Sequence, residues 1–374
     1  MQNYTTIRRL FSSVAASKDA CARLSSRRLL ALRGDAAVPF LQGLVTNHMP
    51  KIARGGDGLY TAFLSPHGRV LYDAFVYPQN VGRDFPHPAF LVDVHADHTA
   101  AVTAHLRRYR LRTKVEIEDV SEKWDVWAAW GPRVCQLWTR DAVAGGVPAT
   151  ALVVRDQQPV ADIGCYDPRW AGLGVRAVVP KGSRPSALAE INEVPEMEHT
   201  LHRLVHGIPE GTDYATNVSL PLESNLDYMN AIDFRKGCYV GQELTIRTYH
   251  TGVVRKRIVP VVVERADAVG STVPLSPAVA LDRSATENAL VLPPAQSNIM
   301  AAAHDGVSHG RPLGKWCAGA HNVGLALFRL EMVDSSMRFP IEGTDLVVRP
   351  YKPAWWPTMT GSNEDDTKAR TSQE

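Results

Sequence analysis

The pattern of the chain changes once, near residue 250, and that change constrains the fold more than any single motif. Before it, extended and helical periodicities are interspersed without the regular strand-helix-strand beat of a doubly wound sheet. From Val253 onward only extended patterns remain, at Val253 to Val263, Gly324 to Val333 and Leu346 to Val348, separated by glycine and proline. Strands with no helix to cover them pack naturally as a small barrel. The expected class is therefore α+β, mixed sheets and helices followed by a C-terminal β-barrel. At 374 residues and 45% hydrophobic content, the chain can bury two or three such units.

Within the mixed region, Arg28 to Leu32 form a short apolar run. Gly34-Asp35 then offers a turn and a capping oxygen for a helix holding Phe40, Leu41 and Leu44. Residues 58–64 and 69–77 flank Ser65-Pro66-His67-Gly68, where proline presets φ and glycine permits a left-handed one, so a hairpin is expected. Asp97 is placed to cap a helix with Val102, Leu106 and Tyr109 at i, i+4 and i+7. Lys114 to Ile117 and Trp124 to Trp130 return to extended patterns. A further helix is expected from Pro195, with Met197, Leu201, Leu204 and Val205 on one face and Gly207 as its stop.

The first 33 residues carry seven arginines or lysines, one acid at Asp19, and serines at 12, 13, 17, 25 and 26. This is the composition of a mitochondrial presequence, assigned to residues 1–28 with cleavage before Leu29. Residues 29–250 form the mixed region, in two subdomains, and residues 251–355 the barrel. An aperiodic insertion at 264–312, rich in Ala, Ser, Pro and Asn, interrupts the barrel, and residues 356–374 form a disordered tail.

The 41 basic and 39 acidic residues leave a net charge of +2, too small to steer the whole chain onto nucleic acid or an acidic membrane. No run of apolar residues is long enough to cross a bilayer, so no membrane insertion is expected. Cysteines 21, 135, 165, 238 and 317 are odd in number and form no CxxC pair, which reads as free thiols in a reducing compartment.

The stretch Ile232 to Arg247, with Lys-Gly-Cys-Tyr-Val-Gly-Gln-Glu at 236–243, concentrates the chemistry. Gly237 and Gly241 bracket Cys238 and let backbone approach another surface, while Arg235 and Lys236 would favour a thiolate, both nucleophile and soft-metal ligand. The alternative is a small buried hydrophobe, the common fate of a free cysteine. His48, His67 and His250 lie nearby without the spacing of a metal site and read as surface or turn residues.

The octapeptide resembles the signature of the YgfZ/GcvT-like folate-binding family, in its mitochondrial branch of iron-sulfur assembly factors. The resemblance extends to Phe40-Leu41-Gln42-Gly43-Leu44-Val45-Thr46-Asn47, Asp167-Pro168-Arg169, Leu173 to Arg176, Gly207 to Gly211, Leu220 to Asn225 and Gly324 to Glu331. It spans residues 28–263 and 312–350. It implies a tetrahydrofolate-binding fold shared with the glycine-cleavage aminomethyltransferase, in which a central cavity receives the pterin and the barrel closes one side.

On that resemblance, Glu223 is the carboxylate for the paired N-H donors of a pterin. Asn225, Lys236, Gln242, Glu243 and Arg247 join it as cofactor-binding candidates. Tyr72 and Asp73 stand where the transferases carry an acid pair. Asp73 is expected on a strand face with Leu71, Phe75 and Tyr77, a carboxylate in an apolar cavity positioned to handle a proton; the alternative is an edge aspartate facing water. Arg247, Arg255, Lys256 and Arg257 meet a folate glutamate tail, an acidic partner or only solvent, and Arg176 is equally open.

Since a cluster usually requires about four protein ligands, Cys238 as metal ligand implies a transient iron-sulfur cluster shared with a partner. The implied partners are A-type iron-sulfur carrier proteins and 4Fe-4S client enzymes of the aconitase and radical-SAM types, in the mitochondrial matrix. The implied role is a non-catalytic assembly factor, against the alternative of a folate-dependent aminomethyl transferase using Asp73.

Overall fold

A computed structural model of the chain describes residues 18–79, 88–134, 161–268, 281, 290–301, 311–333 and 337–357. Strands β1 (Ala20–Arg23) and β2 (Arg27–Arg33) open it, followed by helix α1 (Ala37–Gln42) and the hairpin of β3 (Leu59–Leu64) and β4 (Val70–Pro78). Then come β5 (Ala89–His95), α2 (Thr99–Arg110), β6 (Glu116–Asp119), β7 (Trp124–Trp130), β8 (Ile163–Tyr166), β9 (Val175–Pro180) and β10 (Asn192–Glu193). Helices α3 (Glu196–Val205) and α4 (Gln242–Thr251) precede β11 (Lys256–Arg265), β12 (Asn298–Ile299), β13 (Gly314–Ala320), β14 (Val323–Arg329), β15 (Phe339–Pro340) and β16 (Leu346–Pro350).

These strands make three sheets. The first has order β3-β4-β5-β2-β6, the second β10-β1-β7-β9-β8, and the third β12-β13-β14-β11-β16-β15. An antiparallel bridge between Ile299 and Ile341 joins the two ends of the third sheet, which closes it as the expected barrel. One core lies between the first two sheets and the barrel, a second between the first sheet and helices α1 and α2, and a third inside the barrel around Trp316, Phe328 and Phe339. Tyr351 and Trp355, just past β16, lock the barrel onto the end of α3 by donating to the Val205 and His206 carbonyls at 2.6 and 2.7 Å.

The hairpin forms as its tip dictates: the Gly68 N-H donates to the Ser65 carbonyl at 2.8 Å, with Gly68 at φ +76°. Phe63 pairs with Tyr72 but Leu64 with Val70, so Leu71 is a bulge. The bulge resets the alternation. Leu71 packs with Tyr72 toward the helix-side core, while Asp73 keeps the opposite face with Phe75 and Tyr77. The expected grouping of Leu71 with Asp73 is thus corrected by one extra residue.

Other expectations also need correction. A presequence reaching residue 28 would remove β1, which sits between β10 and β7 with Cys21 and Ala22 fully buried, and Arg27, held by Asp93. The folded chain therefore includes residues 18–28; residues 1–17 lie outside the described residues. The insertion at 264–312 contains β12, the closing strand of the barrel, and its upstream edge falls inside β11. Trp356, assigned to the tail, packs in the barrel core, while residues 358–374 lie outside the described residues.

The helix caps differ too. Ala36, not Asp35, occupies the cap position of α1, with no side-chain cap bond. His98 takes that position before α2, and Asp97 lies in the preceding turn, its N-H donating to His95 Nδ1. On α3, Leu201, Leu204 and Val205 are buried as expected, but Met197 is exposed. Gly207, at φ +70°, ends the helix where expected.

Candidate functional site

The signature residues fold as a loop feeding α4. Gly241 is the N-cap of that helix, at φ +79°, and a Cβ there would lie 2.2 Å from the Ser65 carbonyl oxygen. Gly68 is equally constrained, since its Cβ would meet Leu244 Cβ at 2.9 Å and the Gly241 oxygen at 3.0 Å. Two glycines thus let the start of α4 sit against the tip of the β3–β4 hairpin. Gly237 plays no such part: nothing lies within 4 Å of its Cβ position.

Lys236 turns inward rather than toward Cys238. Its Nζ donates to the carbonyl oxygens of Gln42, Val45 and Asn47 at 2.7, 2.5 and 2.9 Å and lies 4.7 Å from the centre of the Tyr239 ring. Burial pulls its ammonium down to about 7, against the opposing pull of Asp233, while the three carbonyls favour the charged form. The side chain is a clip on the end of α1. It leaves Cys238 exposed, at the turn of a loop fixed on both sides.

Gln242, at the first turn of α4, accepts the Tyr239 N-H at 3.1 Å and stabilises the loop; Glu243 and Arg247 project to solvent. Arg255 is exposed as well. Arg257 is buried instead: it makes a two-pronged pair with Asp227, both bonds at 2.8 Å, donates to the Leu222 carbonyl, and stacks 3.7 Å from the Tyr228 ring centre. That removes it from the candidates for a folate tail. His67 and His250 are exposed and His48 is half-buried against Gln42, so the surface and turn reading of these histidines agrees with their positions.

Glu223 and Asn225 lie in the chain of turns that abuts β11. The Asn225 amide is fully buried, donating to the Ile258 carbonyl at 2.7 Å and accepting from Arg257, at φ +60°. Asn225 is a strut between these turns and the barrel. Glu223 is different. Its carboxylate is half-buried with no hydrogen-bond partner among the described residues, and burial pushes it up against the pull of Lys256 and Arg69. A half-buried acceptor pair with free lone pairs fits the N-H and amino donors of a pterin.

Asp73 sits elsewhere, deep under the hairpin and fully buried. Tyr60 Oη donates to Asp73 Oδ2 at 3.0 Å and the Gly211 N-H to Oδ1 at 2.9 Å, while Tyr214 Oη lies 2.9 Å from Tyr60 Oη. Burial, and then the Asp73 charge, hold both phenols well above their ordinary range, so they remain protonated donors. The residues thus fit tetrahydrofolate at its pterin end, through Glu223. They do not offer Asp73 as a free base.

Beside Asp73 lies a buried ion-pair network, of which Arg176 alone was a binding candidate. Arg27 Nε donates to Asp93 at 2.6 Å; Arg169 pairs with Asp167 at 2.7 Å and Glu210 at 2.5 Å; Arg176 pairs with Glu210 and Asp93; Arg203 pairs with Asp213. Burial pushes Glu210 up, but Arg176, Arg169, Arg27 and Arg203 together hold it well below the usual carboxylate range. Arg176 is therefore a buried structural cation, neither a solvated residue nor a ligand for a folate tail. The signal was available at two positions: Asp93 and Arg176 interrupt otherwise apolar strands, where an unpaired charge would be prohibitive.

The four described cysteines are free thiols, with Cys21, Cys165 and Cys317 buried and Cys238 exposed. Among the described residues no group of three or more His, Cys, Asp or Glu is arranged to hold a metal ion, and no helix is long and apolar enough to cross a membrane.

Comparison with known proteins places this geometry. Residues 255–358 match the C-terminal β-barrel domain described for CAF17. The chain is 38% identical, over 88% of its length and 75% of the relative's, to the mitochondrial iron-sulfur cluster assembly factor IBA57 homolog of Neurospora crassa. It is 33% identical to the homolog of Mycosarcoma maydis, over 92% of its own length and 88% of the relative's. The crystal structure of the glycine cleavage system aminomethyltransferase T from Bartonella henselae superposes with a TM-score of 0.59, covering 94% of this chain and 89% of that one at 14% identity. The fold is accordingly the aminomethyltransferase-like one, α+β with a C-terminal barrel.

Proposed function

This chain belongs to the IBA57 family of mitochondrial iron-sulfur cluster assembly factors, and from that premise we propose that it acts late in the maturation of 4Fe-4S proteins by sharing a cluster with an A-type carrier through Cys238. The observation that carries this reading is the exposure of Cys238 on a loop clamped at both ends, by Lys236 on α1 and by Gly241 on the hairpin. A core cysteine is sealed, as Cys165 and Cys317 are. An exposed sulfur on a fixed loop can instead complete the coordination of a cluster whose other ligands come from a partner. The cluster is cargo, passed on to 4Fe-4S clients of the aconitase and radical-SAM types in the mitochondrial matrix.

Tetrahydrofolate, when bound, would be held at its pterin ring by Glu223, while Gln242 and Lys236 fix the loop that carries Cys238. A second reading, aminomethyl transfer onto folate, requires a base near the reacting nitrogen. The buried, doubly bonded Asp73 argues against it. The cellular test is Cys238→Ser. Loss of aconitase and radical-SAM activities with glycine cleavage intact is expected; loss of glycine cleavage with normal aconitase would favour the transferase.

A further inference from the structure

The loop carrying Cys238 runs back along α4. Phe234 stacks on Tyr249 near the C-terminal end of that helix, ring centroids 3.7 Å apart and planes 15° from parallel, while Gly241 caps the N-terminal end. Cys238 therefore lies on the exposed segment that links the two ends of this helix flank. That flank is apolar: Tyr249 is 51% exposed, Val253 just past the helix is 77% exposed, and Ile246 is partly exposed one turn before Tyr249. Arg235 and Arg247 are exposed at its border without an ion-pair partner among the described residues. Of the nearby acids, Asp233 is already held by Lys51 at 2.8 Å, which leaves Glu243 on the helix.

An aromatic and aliphatic strip bordered by arginines has the anatomy of a protein interface, with a dry centre and a charged rim. Two arginines around an apolar centre are too few cations to track a nucleic-acid backbone. We propose that this flank of α4 is the surface on which the cluster-bearing partner docks, and that the partner presents an apolar patch edged by carboxylates. The proposal rests on the shared-ligand role of Cys238 given above. The apolar strip holds the complex, and the arginines steer the encounter and set its register.

The test measures, under anaerobic conditions, binding kinetics of the full chain to an A-type carrier loaded with its 2Fe-2S cluster, for wild type, Tyr249→Ala, the Arg235→Glu/Arg247→Glu double variant and Cys238→Ser, each verified as folded by its melting curve. Tyr249→Ala is expected to raise the dissociation rate about tenfold. The double variant is expected to lower the association rate at low salt by about tenfold and flatten its salt dependence. Cys238→Ser should leave the association rate near wild type but raise the dissociation rate so far that no complex survives size exclusion, since the steered encounter precedes ligation and the shared ligand then holds the complex. Wild-type rates in both surface variants would overturn the docking surface while the shared-ligand role stands. The absence of any complex with wild type would overturn that role, and with it the occupant assigned to the surface. Tight binding of an RNA oligomer or of anionic vesicles through the same arginines would likewise overturn the assignment.

Discussion

Cys238 and Lys236 are neighbours in sequence but have opposite environments, one at the surface and one inside. The ammonium of Lys236 satisfies three carbonyls at and just past the end of α1, so its role is to fix the loop rather than to activate the thiol. Lys236→Met should strip those carbonyls of their donor and cost about 1–3 kcal/mol, read as a lowered urea midpoint. Cys238→Ser should leave that midpoint within about 0.5 kcal/mol of wild type, because its side chain is exposed. At this scale the sequence was legible in part. The identity of the octapeptide marked the site, and the sulfur is accessible. The inward turn of Lys236, the strut role of Asn225 and the burial of Arg257 were not legible, because each depends on a partner distant in sequence: α1 for Lys236, β11 and Asp227 for the other two.

Among the elements, α4 was missed because Gly241-Gln242-Glu243 and the β-branched residues after it carry a weak helical pattern. What fixes the start of this helix is its contact with the hairpin tip, which no local pattern reveals. Gly241→Ala should therefore be strongly destabilising, since it combines a left-handed φ with a 2.2 Å approach to the Ser65 oxygen, whereas Gly237→Ala should melt at the wild-type temperature. Helix α3 makes a second prediction. His202 packs between Trp130 and Trp170, with its Nε2 2.9 Å from the Gly172 carbonyl oxygen, and burial holds its imidazole down at about 4; burial also keeps His199 and His206 well below 6.5.

For these histidines the unfolded chain binds protons more readily than the folded one, so their contribution is complete above about pH 6.5 and is lost as the pH falls from there toward 4. The urea midpoint should therefore fall across that window, and His202→Gln should reduce the slope. The existence of most strands and of α1, α2 and α3 was legible from periodicity. The caps of α1 and α2 and the bulge at Leu71 were not, because tertiary contacts outweigh local preference there.

Across the whole molecule, the buried network joins the first sheet, through Arg27 and Asp93, to the second, through Arg176, and to the segment after α3, through Glu210. Arg176→Met should leave Glu210 and Asp93 partly uncompensated and cost about 3–5 kcal/mol, with Glu210→Gln in the same chain recovering part of the loss. The division into a mixed region and a barrel was legible from the change of pattern near residue 250. The participation of residues 20–28 was not, because basic residues and serines obscure two strands whose partners are distant in sequence, β7 and β10 for β1 and β5 and β6 for β2. The architecture holds one cysteine outward on a fixed loop, and the proposed role requires that sulfur to act as a ligand between two proteins. The most direct measurement is anaerobic mixing of the full chain with an A-type carrier loaded with a 2Fe-2S cluster, followed by size exclusion with absorbance detection. Wild type should elute with the carrier as one coloured complex, and Cys238→Ser should leave the colour on the carrier alone. A coloured complex of the same size and stability with Cys238→Ser would contradict the account.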